Sequence, residues 1–420
     1  MIKTVAVVCL FAASLASAAS AQEGPIPKGV PHLDHVFVIL MENHAYNQVI
    51  GNPNDPFVNS YAKTVNLATN YFAVGHPSLT NYLEIVGGSN FGIRDDNSPD
   101  WHNSTCTPNL ATGAVSLETT TTNICPIYGT GTDAATPVID YSNETTGPPG
   151  VIDIDGKLGY DANPNTVGLT IADQLVASGL TWKSYQESLP PTGADGVNNA
   201  DGFFSNLDDL ATALPGEDQT QSNLVALYAV KHNPFAYFES VQEGFDPQLS
   251  LKRMVGFDGT GGLYNDLALG RSPNFSFIAP NQCNDQHGRG NGDAFCAFDP
   301  GLAPGDVTAG TQAGLNPGLI QQGDTTIERL VRAIHASPVW REGRRSAIVI
   351  VWDENDYSIS PTTNRVVLTV DTNYGRHGYK SNTFYDSFSL TKSIEAGFGL
   401  QCLNHACDSS TNVMTDLFAK

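Results

Sequence analysis

Apolar residues along this chain gather into short unbroken runs that end abruptly in polar side chains. The first lies within His35 to His44 (HVFVILMENH) and runs straight into Glu42 and Asn43. NFSFIAP (274–280) leads into NQCNDQHGRGNGD, with Asn281, Asp285, His287 and Asp293, and SAIVIVW (346–352) ends in Asp353-Glu354-Asn355-Asp356. Such runs predict strands buried on both faces of a sheet. TWKSYQE (181–187) and RVVLTV (365–370) predict two more, the second leading to Asp371 and His377.

Helical spacing fills the intervals. Leu79, Tyr82, Leu83 and Val86 share one face of a segment that opens at Pro77 and stops at Gly87-Gly88. Residues 167–179, 222–232, 263–269, 325–337 and 385–396 predict further helices, with Asp324 expected to cap the fourth of these. Alternating strand and helix predicts an α/β fold, a mainly parallel central sheet with helices on both faces. Residues 94–165 and 188–220 lack periodicity and are expected to be long loop insertions. No linker, charge block or repeat divides the chain, so residues 30–420 are read as a single domain.

The beginning of the chain changes the compartment. Lys3, the apolar VAVVCLFAASLA and Ala19-Ser20-Ala21 together predict a signal peptide over residues 1–21, hence a secreted or periplasmic protein. That apolar segment is too short to span a bilayer, and no later run matches it, so no stable membrane insertion is expected. Cys9 leaves with the signal. The other six of the seven cysteines fall into close pairs, Cys106/Cys125, Cys283/Cys296 and Cys402/Cys407, which favours three short-range disulfides in an oxidising compartment. A formal net charge of −22 argues against nucleic acid and anionic membrane as partners.

Three predicted strands end in carboxylates: Glu42, then Asp285 with His287, then Asp353 with Glu354. Each cluster alone also suits a solvated turn. In a parallel sheet, however, all three converge beyond the carboxyl ends of the strands, where ligands of open α/β sheets bind. Oxygen donors with an occasional histidine suit a divalent metal ion. Ser78 falls at a helix N-terminus, either as an N-cap or where orphan N–H groups favour an anion.

These residues resemble the phosphoesterase family of the alkaline-phosphatase superfamily, which includes secreted acid phosphatases and phospholipases C. The resemblance is carried by Met41-Glu42-Asn43, His76-Pro77-Ser78-Leu79, Lys231-His232-Asn233-Pro234-Phe235, Pro280 through His287, Trp352-Asp353-Glu354 and the helix before Gly399-Leu400, in that order. It implies an alkaline-phosphatase-like fold and a secreted, metal-dependent phosphoesterase, of acid phosphatase type on small phosphate monoesters. A phospholipase C or other phosphodiesterase is the nearest rival, and a catalytically silent binding protein a rival of another class. By carry-over, Ser78 is the nucleophile and passes through a phosphoserine. Glu42, Asn43, Ser78, Asp353 and Glu354 hold the metal, while Asp285 and His287 bind either another metal or the phosphate. Asn43 and Asn81 contact phosphoryl oxygens, and His287 or His76 protonates the leaving alcohol. The chain departs from the family's pattern at Thr80, where a proline is usual, and at Ser387, where a histidine often stands. Either that histidine is dispensable or His377 covers its role. Tyr82 occupies the position where the sulfatase branch needs arginine, which disfavours a sulfatase.

Overall fold

The computed structural model describes residues 23–100, 106–117, 123–135, 160–189, 227–288, 317–355 and 364–419. The predicted signal peptide, Cys296, Asp293, residues 136–159 of the first insertion and nearly all of the second lie outside the described residues.

The centre is one sheet built from β1 (His35–Met41), β2 (Asn66–Ala68), β3 (Trp182–Gln186), β4 (Met254–Val255), β5 (Phe275–Ala279), β6 (Ser346–Trp352), β7 (Leu368–Thr372) and β8 (Lys380–Ser381). Their order across the sheet is β8-β2-β7-β6-β1-β5-β3-β4. All run in one direction except β7, which is antiparallel to both neighbours. Every residue of β1, β5 and β6 is buried, so both faces of the sheet centre are covered. That is why these strands read as continuous apolar runs without alternation.

Two groups of helices do the covering. α2 (Ser78–Gly87) packs against α3 (Ile171–Ala177) and α6 (Ser387–Phe398), while α5 (Pro317–Ala336) packs against α1 (Pro56–Tyr61) and α4 (Leu263–Leu269). α5 buries Leu319, Ile320, Ile327, Leu330, Val331 and Ile334, positions three and four apart that form its apolar stripe. α2 ends where the glycine pair predicts, with Gly88 in the left-handed conformation at φ 69°. Among the described residues, no helix is long and apolar enough to cross a membrane.

Three local expectations are corrected. α5 begins well before Asp324, so this residue is not its cap. Its carboxylate instead accepts from the backbone N–H groups of Phe57 (3.0 Å) and Val58 (2.8 Å), at the start of α1. It caps a helix distant in sequence, a contact no local pattern encodes. Substituting Asp324 by alanine is expected to cost about 1 kcal/mol of stability, seen as a lower urea midpoint. An unchanged midpoint would show the cap to be dispensable. The strand predicted over 365–370 is shifted to β7 and reversed, with consequences below. Residues 230–232 form a short 3-10 turn, and residues 222–226 of that predicted helix lie outside the described ones.

Cys106–Cys125 and Cys402–Cys407 are bridged, with Cα atoms 5.7 and 5.1 Å apart, as the local pairing predicts. Cys283 is also disulfide-bonded. The second bridge lies beside His405, which is held between Asp133 (3.0 Å) and Asp408 (2.8 Å). Burial alone would lower the His405 pKa, but the two carboxylates outweigh it and push it up to about 9. A folded-state pKa raised above the ordinary value contributes stability that is full below about pH 6.5 and lost as pH rises through 9. The melting temperature should therefore fall over that interval, and His405→Gln should flatten this part of the profile. An unaltered slope in that variant would remove His405 from the explanation.

Candidate active site

The carboxyl ends of β1, β5 and β6 are neighbours, and backbone hydrogen bonds continue past the strands. The N–H of Glu42 donates to the carbonyl of Asp285, and that of Asp353 donates to the carbonyl of Met41, each at 2.9 Å. Strand pairing therefore brings the three acidic clusters to one rim. Glu42, Asp285, Asp353 and Glu354 are all buried there. The turn carrying Asp285 and His287 is pinned from beneath by Gln286, at φ 78°. Its side chain donates to Asp55 (2.9 Å) and the carbonyl of Ile320 (3.1 Å) and accepts from the Trp352 indole (2.9 Å). Gly323 on α5 admits it, since a Cβ there would lie 2.3 Å from the Gln286 Cγ.

Ser78 opens α2 but does not cap it. Its hydroxyl lies 3.0 Å from Glu42 Oε2 and 3.2 Å from Glu354 Oε1. A hydroxyl has one proton and here meets two carboxylates, so both contacts are favourable only if a carboxyl is protonated or a cation intervenes. The free end of the helix is met by another residue. Asp96 Oδ1 accepts from the Leu79 N–H at 3.0 Å, and Asp96 Oδ2 accepts from Lys231 Nζ at 2.9 Å.

Histidines line the same space. His232 Nε2 is 3.3 Å from Glu42 and its Nδ1 is 3.4 Å from Asp285, while its ring stacks on Tyr82. The Tyr82 hydroxyl donates to Glu42 Oε1. His287 Nδ1 lies 2.6 Å from its neighbour's carbonyl at Gly288, where it donates, so Nε2 faces inward, 3.4 Å from Lys231 Nζ. Glu42, His232 and His287 each present a ligand atom, all within 4.8 Å of one another.

Burial pushes the carboxyls of Glu42, Asp285 and Glu354 well above the usual range, and the neighbouring Asp353 charge adds to this. Asp353 is raised more weakly, because hydrogen bonds with the Asn43 N–H, Glu42 and Ser78 oppose burial. Against four buried carboxylates stands Lys231, already paired with Asp96. A buried cluster of this charge calls for a cation. Asn43 points the same way: it is fully buried in a left-handed conformation at φ 54°, and among the described residues neither atom of its side-chain amide has a hydrogen-bond partner. Asp285 Oδ2, 3.4 Å from His232 Nδ1, likewise makes no hydrogen bond among the described residues. Hard oxygen donors, an orphaned amide and imidazoles fit a divalent metal ion.

The phosphoesterase family model matches residues 52–296, more than half of the chain. The chain belongs to the phosphoesterase family. Within it, the chain is similar to a "Probable acid phosphatase" of Kluyveromyces lactis, 23% identical over 379 residues, covering 90% of this chain and 61% of that protein. It is similar to a "Phosphatidylinositol-3-phosphatase" of Mycobacterium tuberculosis, 22% identical over 414 residues, covering 97% and 92%. An "Acid phosphatase" of Aspergillus fumigatus is 25% identical over 251 residues, covering 60% and 36%. This phosphoesterase thus spans under two thirds of those two fungal relatives and nearly all of the mycobacterial one. It is also similar to a solved structure of an alkaline phosphatase superfamily protein from Vibrio parahaemolyticus, with a TM-score of 0.46, 12% identity and coverage of 94% and 72%.

Among the residues singled out in the sequence, Glu42, Asn43, Ser78, Asp285, His287, Asp353 and Glu354 come together in this phosphoesterase. His377 does not. Because β7 is antiparallel, Asp371 pairs with Ile348 near the start of β6, and His377 lies 3.7 Å from Asp371 at the far end of the sheet. The structure also gives Asn81 other work than a phosphoryl contact. Its carbonyl accepts from the Val74 and Gly75 N–H groups, and its NH2 donates to the Gly75 carbonyl and Glu354. His76 is engaged at both ring nitrogens, with Glu354 and Asn355 each 2.9 Å away, so it positions Glu354 and is no free proton donor. Sequence reasoning gave no role to Lys231, His232, Tyr82 or Asp96. The signal for the first two was the Lys231-His232-Asn233-Pro234-Phe235 motif, whose place in the fold no periodicity disclosed.

Proposed function

We propose that this phosphoesterase is an exported, metal-dependent phosphatase acting on phosphate monoesters through a phosphoserine at Ser78. The observation that carries the proposal is the Ser78 hydroxyl at 3.0 and 3.2 Å from two buried carboxylates. Structural serines at helix N-termini cap backbone N–H groups; this one is turned away from them. Glu42, Asn43, Asp353, Glu354, Asp285, His232 and His287 form the donor set from which a divalent ion would be held. When bound, such an ion supplies charge neutralisation and lowers the pKa of a neighbouring hydroxyl.

The chain's own residues do the rest. Ser78 Oγ gives its proton to the Glu42 or Glu354 carboxylate and attacks phosphorus, an Oγ–P bond forms, and the ester P–O bond breaks. The Leu79 N–H and Lys231 provide positive potential for the phosphoryl oxygens. His287 Nε2 faces the site and, when the ring carries a proton on both nitrogens, gives one to the departing alcohol. Water then attacks the phosphoserine, releasing inorganic phosphate and restoring the Ser78 hydroxyl. Residues 30–420 are taken as one catalytic domain. The predicted signal peptide and the disulfides support export, since such bridges persist in oxidising compartments.

The substrate class is tested on the metal-replete protein with p-nitrophenyl phosphate, its bis-ester, phosphatidylcholine and phosphatidylinositol 3-phosphate, together with metal analysis. The monoesters are expected to exceed the diesters in kcat/KM by roughly tenfold or more. A preference for the phosphatidylcholine diester would favour a phospholipase C instead.

A further inference from the structure

Asp96 occupies an unusual place in the cluster. It comes from an irregular loop after α2 and is buried with the residues it meets; the Lys231 and Asp96 side chains are 1% and 7% exposed. One oxygen takes the Leu79 N–H, adjacent to the nucleophile at the start of a ten-residue helix, and the other takes Lys231 Nζ. A helix N-terminus and a lysine ammonium, held side by side by one carboxylate, are the donors a phosphoryl group would use. The surroundings are already acidic: Ser78, the residue before Leu79, meets the carboxylates of Glu42 (3.0 Å) and Glu354 (3.2 Å). A further carboxylate is electrostatically unfavourable there unless it fills a place that an anion is meant to take.

We propose that Asp96 is a built-in stand-in for the phosphoryl group, occupying its donors until substrate displaces the carboxylate. Asp96 is then a determinant of affinity. It weakens the binding of phosphate monoanion and dianion alike, and it weakens product inhibition, because every phosphate that binds must expel a competing internal anion. This rests on the reading of Ser78 as nucleophile and of this rim as the active site.

The test compares Asp96→Asn and Asp96→Ser with the parent protein, all metal-replete. Asparagine preserves shape without charge, and serine retains a short acceptor for the Leu79 N–H. Inorganic phosphate is the probe, measured as a competitive inhibitor and by calorimetric binding to the same proteins in the Ser78→Ala background. Both variants should bind phosphate on the order of tenfold more tightly, with KM falling in parallel. Unchanged or weaker phosphate binding in either folded variant overturns the proposal and leaves Asp96 as a prop for Lys231. The two readings fail separately. If Ser78→Ala keeps full turnover, the nucleophile assignment is lost; if it is inactive and phosphate binding is indifferent to residue 96, only the stand-in is lost.

Discussion

Ser78→Ala is expected to lower turnover of p-nitrophenyl phosphate by about 10^4-fold or more, with KM changed far less. Removing a nucleophile from a site that works as a unit costs nearly the whole of the chemical acceleration, while binding groups remain. The hydroxyl faces Glu42 and Glu354 and satisfies no backbone group, so the variant should fold. It also relieves a contact in which one proton must serve two carboxylates. A melting temperature equal to or above that of the parent, together with lost turnover, is the expected pair of results. Turnover within a factor of ten of the parent would remove Ser78 from the chemistry.

Stripping divalent ions should have the second-largest effect. Chelation is expected to reduce activity by roughly 100-fold or more, reversibly on adding the ion back, and to lower the melting temperature by several degrees. The second result follows from linkage: a ligand bound only by the folded chain stabilises it by mass action, by about 4 kcal/mol at a thousand times its Kd. The dependence on pH has a definite sign. Burial raises the carboxyls of Glu42, Asp285 and Glu354 in the ion-free protein. Groups with a raised folded-state pKa stabilise below their unfolded pKa, near 4.5 or lower, and that contribution is lost as pH rises through the folded value. The ion-free protein should therefore weaken as pH climbs from the acid side. The stabilisation gained on adding metal should grow over the same range, because protons no longer compete for the ligands. A melting temperature indifferent to chelation at every pH would contradict a cation in this cluster.

What the sequence disclosed follows from how each feature is encoded. β1, β5 and β6 are buried on both faces, so their apolar runs are unbroken and their last residues are obvious; Glu42, Asp285, Asp353 and Glu354 were found at those ends. Strand direction is not written in a local run. RVVLTV reads the same whether parallel or antiparallel, which is why a site role for His377 was open to the sequence and is closed by the structure. Asp371 accepts from the Tyr61 hydroxyl (2.7 Å) and lies 2.8 Å from His335. β2 spans only Asn66–Ala68 and was missed for lack of length. Lys231, His232 and Asp96 lie on a short turn and an irregular loop, where no period marks which side chains point inward. Asn81 lies beside the rim, but its amide is engaged by the Val74–Gly75 backbone and Glu354, bonds that no periodic pattern encodes.

The most direct measurement is the stereochemical course at phosphorus. With a monoester made chiral by oxygen isotopes, transfer of the phosphoryl group to an alcohol acceptor passes through two in-line displacements if Ser78 is phosphorylated on the way. Net retention of configuration is the expected result. Net inversion would mean that the acceptor attacks the substrate directly and that no phosphoserine forms.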